Sequence, residues 1–85
     1  MPPNIAIEII SPDQTFGAMT EKAFDYLIAG AFSVWVVDSR AKTVTVFQPK
    51  AVPITYRGNT AINEPQLPEL KISAQMIFDR AGLLS

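Results

Sequence analysis

One carboxylate, Glu8, stands inside the apolar run "NIAIEII" at residues 4–10, and the next basic residue along the chain is Lys22 in "TEKAFDYLIAG". A carboxylate among aliphatic side chains is costly. Burial penalises its charged form and drives its pKa upward until it takes a proton. Glu8 therefore needs a partner, and three kinds are open. Lys22 can pair with it, water can reach it at a strand end, or a cation can neutralise it. The sequence contains no cysteine and no histidine, which removes thiolate and imidazole ligands and every histidine-based triad. Any metal bound here would be a hard, oxygen-ligated ion such as Mg²⁺ or Mn²⁺.

The remaining polar residues have simpler readings. Asp13 belongs to a turn or a helix entry, and Asp38, Arg40 and Lys42 to a hairpin turn. Lys50, Arg57 and Lys71 are too dispersed to outline a DNA groove. Trp35 lies in a run of valines, so it reads as core rather than as a platform for stacking a base.

The elements that would position Glu8 and Lys22 follow from periodicity. In residues 4–10, Ile5, Ile7 and Ile9 share one face, and Ala6, Glu8 and Ile10 share the other. Apolar character on both faces predicts a central strand covered on two sides. "SPDQT" ends that strand. A helix is predicted from about Thr15, its N-cap, to Ala29, with Gly30 just beyond. Its inward stripe is Phe16, Met19, Ala23, Tyr26 and Leu27. Lys22 lies on the edge of that stripe, one turn before Tyr26, where a stretched stem can carry its charge back toward the sheet. "FSVWVVD" (32–38) and "TVTVFQP" (43–49) form a hairpin, with Thr43, Thr45 and Phe47 on one face. "VPITYR" (52–57) supplies an edge strand, since Pro53 cannot donate to a ladder. A prolyl-rich loop follows, then a short helix from about Ser73 to Ala81, with Gly82 as its stop.

The expected architecture is one α/β domain over residues 1–85, a mixed α+β sheet in the order β-α-β-β-β-α. Eighty-five residues bury a modest core. A sheet that is apolar on both faces has only one full helix and one short helix to cover it. Self-association, as a dimer, is therefore expected. Seven basic and eight acidic residues give a net charge of −1, which is not the footprint of a standalone nucleic-acid binder. No apolar run approaches the ~20 residues of a membrane span. The start of the chain lacks a basic segment ahead of an unbroken apolar run, so no signal peptide is expected and the cytoplasm is the expected location.

"PPNIAIEIISP", "TEKAFDYLIAGAFSVWVVDSRAKTVTVFQP" and "LPELKISAQMIFDRAGLL", taken in order, resemble the C-terminal half of the Uma-two family. These are bacterial restriction-endonuclease-like proteins with the PD-(D/E)XK nuclease fold. The resemblance covers nearly the whole chain. No single motif in it is specific, but the ordered set is. It comprises a glutamate in a strand, Ser-Pro, a helix lysine, "YLIAG", "VWVVD" and "TVTVFQP".

The resemblance implies that Glu8 binds the catalytic metal and that Lys22 is the signature lysine, moved from strand to helix. Phosphodiester hydrolysis needs developing negative charge neutralised and a nucleophile made from water. Two carboxylates holding Mg²⁺ or Mn²⁺, with a lysine beside them, meet that need. Two departures stand out. The family's Pro-Asp before the strand is Pro3-Asn4 here, and its first metal-binding aspartate lies on an upstream strand that this sequence lacks. The expectation is a truncated nuclease-like chain, inactive or very weak alone, whose intact relatives would be Mg²⁺-dependent endonucleases acting on DNA. The alternative is a non-catalytic interaction module that dimerises.

Overall fold

The computed structural model describes residues 5–65 and 67–81. Pro3, Asn4 and Gly82 lie outside the described residues. The elements run β1 (Ile5–Ile9), α1 (Phe16–Ile28), β2 (Ser33–Asp38), β3 (Thr43–Phe47), β4 (Ile54–Arg57) and α2 (Ala74–Ala81). The expected β-α-β-β-β-α order holds, and the architecture is a mixed sheet with two helices.

Local chemistry sets the ends of the helices. Thr15 has an extended backbone, and its hydroxyl oxygen accepts the Ala18 amide at 3.0 Å. That pairs one of the donors a helix start leaves open. At the other end Gly30 turns left-handed at φ 111. The Gly30 and Ala31 amides then close on the carbonyls of Leu27 and Tyr26, each at 3.0 Å. This is a Schellman stop, and the glycine makes it cheap. Ser73 caps α2 by accepting the Met76 amide at 3.2 Å.

The four strands lie in the order β1-β2-β3-β4. β1 pairs parallel to β2, with Glu8 opposite Val36, and the other pairs are antiparallel. A parallel neighbour requires a crossover, and α1 provides it. Each face of the sheet carries its own core. On the α1 face Ala6, Met19, Ala23, Val34, Val36 and Phe47 pack together, with Ile10, Tyr26 and Leu27 at the margin. On the α2 face Trp35, Val37, Val44, Val46, Tyr56 and Phe78 do the same, with Ile5 at the margin.

The structure corrects two sequence expectations. β1 is an edge strand rather than a central one. Ile7 and Ile9 are 60% and 53% exposed, because α2 lies over β4 at the far side of the sheet. Phe16 is not part of the inward stripe, because at the first position of α1 it is 44% exposed and lines a surface recess rather than the core.

Candidate active site

Strand alternation turns Glu8 to the α1 face, in the same set as Ala6 and Ile10. α1 passes over that face and presents Lys22 and, one turn later, Tyr26. The Lys22 Nζ lies 3.2 Å from Glu8 Oε1. The Tyr26 hydroxyl donates to the same oxygen at 2.7 Å. The ammonium also sits 6.0 Å from the centre of the Tyr26 ring, at the outer limit of a cation–π contact. Two donors from one helix thus converge on Oε1. Oε2 accepts no hydrogen bond among the described residues.

The trio is accessible, with the side chain of Glu8 21% exposed and that of Lys22 49%. The Tyr26 hydrogen bond holds the Glu8 carboxyl below its ordinary pKa, with Lys22 assisting and partial burial opposing. Glu8 is therefore ionised at neutral pH. In turn, their own contacts with the Glu8 carboxylate raise the Lys22 ammonium and the Tyr26 phenol above their ordinary values. At neutral pH Lys22 is thus a fixed positive charge rather than a general base. Such a charge can steady a phosphate or an attacking water.

The residues suit a divalent cation only in part. A free carboxylate oxygen fits one position around Mg²⁺, an ion that keeps several of its waters in protein sites. Among the described residues no group of three or more histidine, cysteine, aspartate or glutamate side chains converges. Asp38 is engaged by the turn amides of Arg40 and Ala41 at 3.0 and 3.2 Å. Asp13 takes the Ser11 hydroxyl at 2.7 Å, which lowers its pKa. Both therefore act in turns, as their surroundings in the sequence suggest. A polar recess beyond the end of β1, lined by Ser11, Gln14, Asp38 and Arg40, includes none of the trio.

Two residues of consequence were not singled out from the sequence. Tyr26 read as an apolar stripe position, although a phenol at the edge of a core usually finds a partner for its hydroxyl. Glu64 read as loop, yet it is 3% exposed, and its Oε1 accepts the Trp35 indole N–H at 2.9 Å. The signal for Glu64 was Trp35 itself, whose buried N–H needs an acceptor.

This geometry can be set beside known proteins. The family model Uma2, described as "Putative restriction endonuclease", matches residues 1–75. The chain belongs to the Uma-two family. A crystal structure described as "a putative nuclease belonging to DUF820 from Anabaena variabilis ATCC 29413" superposes with a TM-score of 0.80 at 26% identity. The match covers 96% of this chain and 45% of that one, so the Uma-two chain spans less than half the length of that relative. No curated protein matches it. In the Uma-two chain no described helix is long and apolar enough to cross a membrane.

Proposed function

We propose that this chain carries the glutamate–lysine half of a Mg²⁺- or Mn²⁺-dependent nuclease site acting on DNA. The observation behind this reading is the ionised, accessible Glu8 carboxylate, with Lys22 and Tyr26 on one oxygen and no hydrogen bond to the other among the described residues. Membership of a restriction-endonuclease-like family and the nuclease description of the structural relative support it.

Glu8 would occupy one position on the cation, and Lys22 would lie beside the phosphate. When bound, the cation supplies Lewis acidity and an acidified water. The second carboxylate would come from outside these 85 residues, on the same polypeptide or on another chain. A single carboxylate is a weak site, so the chain alone should act slowly or not at all. The test is nicking of supercoiled plasmid at high protein concentration with Mn²⁺. Slow nicking that disappears in both Glu8→Ala and Lys22→Met supports the reading, and nicking retained in either variant contradicts it.

A second reading has its own support. Phe24, Ile28 and Val52 are exposed and line one largely apolar hollow on the α1 side, and clustered exposed apolar residues mark interaction surfaces. A non-catalytic module that self-associates through these residues would explain them. Under this reading no nicking occurs, and sedimentation gives a dimer at tens of micromolar. Ile28→Asp, at a position 85% exposed, would return it to a monomer if α1 lies in the contact.

A further inference from the structure

We infer that Tyr26 is the positioning residue of this site, holding Glu8 through Oε1 so that the carboxylate stays oriented when Lys22 turns away toward a phosphate. The inference rests on the nuclease reading of Glu8 and extends it to a residue with no role there so far.

Its basis is that both donors meet one oxygen. The Tyr26 hydroxyl and the Lys22 ammonium reach Oε1 at 2.7 and 3.2 Å. A carboxylate oxygen can accept two donors at once, so Oε1 keeps one of them when the other leaves. The two donors also differ in how firmly they are held. Lys22 sits at the end of a flexible stem with a half-exposed side chain. Tyr26 is a rigid ring packed at the margin of the α1-side core. Its carbonyl accepts the Ala31 amide in the turn that ends α1, which fixes its backbone as well. The exposed donor is free to leave, and the anchored one stays.

With both donors on Oε1, Oε2 accepts no hydrogen bond among the described residues. That is the atom a divalent ion would meet. Hydrogen-bond partners that orient a metal-binding side chain typically change metal affinity by about 10–100-fold when removed.

Two NMR measurements on the whole chain test this, using Tyr26→Phe and Lys22→Met. The first needs no metal and reads the Glu8 side-chain rotamer from three-bond couplings. A single rotamer should persist in Lys22→Met and become averaged in Tyr26→Phe. The second follows Mn²⁺-induced broadening of amide signals around Glu8. Tyr26→Phe should weaken Mn²⁺ binding by about tenfold. Lys22→Met should not weaken it, since it removes a repelling charge. A role in stability alone would move neither readout. An unchanged Glu8 rotamer in Tyr26→Phe, or broadening that this variant leaves at wild-type strength, overturns the inference while the nuclease reading stands. No broadening at Glu8 in the wild-type chain overturns the metal reading, and the inference with it.

Discussion

Two glutamates, one on each face of the same sheet, show what separates an accessible carboxylate from a sequestered one. Glu8 lies on the α1 face at the edge strand β1, where lysine and tyrosine donors meet one oxygen and the side chain is 21% exposed. Glu64 lies on the α2 face, 3% exposed, with the Trp35 indole N–H on one oxygen and Gln48 Nε2 at 3.5 Å from the other. Both are hydrogen-bonded, so hydrogen bonding alone does not mark a site. Access marks it. Glu64 ties the loop between β4 and α2 to the middle of the sheet, and nothing from solvent can compete for it. Glu8 is held at one atom and its side chain stays partly exposed.

The contrast breaks most readily at Glu64. Glu64→Ala leaves a buried indole N–H without its acceptor and opens a cavity, so unfolding in urea should show a loss of about 2–4 kcal/mol. A loss below about 0.5 kcal/mol, the ordinary range for a surface position, would mean that Glu64 is not structural. Glu8→Gln should cost less, at most about 1 kcal/mol, because its ion pair is exposed and screened by solvent. A Glu8→Gln variant as damaged as Glu64→Ala would erase the distinction between the two carboxylates.

The smallest effect is the pH dependence at Glu8. Its folded pKa lies below the ordinary carboxyl value of 4.5, so its stabilising contribution is complete above the unfolded pKa. It is lost as pH falls through the folded value. The melting difference between wild type and Glu8→Gln should be steady near neutrality and shrink below about pH 4.5, the unfolded value for this group. A difference that grows on acidification would contradict the lowered pKa and the contacts that cause it.

Much of this arrangement was legible in the sequence because it is local. Thr15, Gly30 and Ser73 mark helix ends through their own hydrogen bonds and dihedral angles. Alternation in β1 put Glu8 on one face with Ala6 and Ile10, and the position of Lys22 at the edge of the apolar stripe let its charge reach back toward the sheet. What was not legible is non-local. The periodicity of Ile5, Ile7 and Ile9 reports that a face is apolar, not what covers it. That is why β1 read as central although Ile7 and Ile9 are exposed at an edge. Tyr26 read as core because its ring is at the core margin, and only the fold shows its hydroxyl on Glu8. Glu64 was hidden in a segment with no periodicity, where its partner lies 29 residues away on β2.

The central claim is that Glu8 is a metal ligand and not only the partner of Lys22, and calorimetric titration of Mn²⁺ into the wild-type chain and Glu8→Gln tests it most directly. The amide is nearly isosteric, so it keeps the packing and removes the charge that attracts the ion. The account predicts weak binding to the wild type that Glu8→Gln abolishes, with the folded state intact in both. Mn²⁺ binding of equal strength in the two proteins, or none to the wild type, would contradict it and leave Glu8 as one half of a surface ion pair.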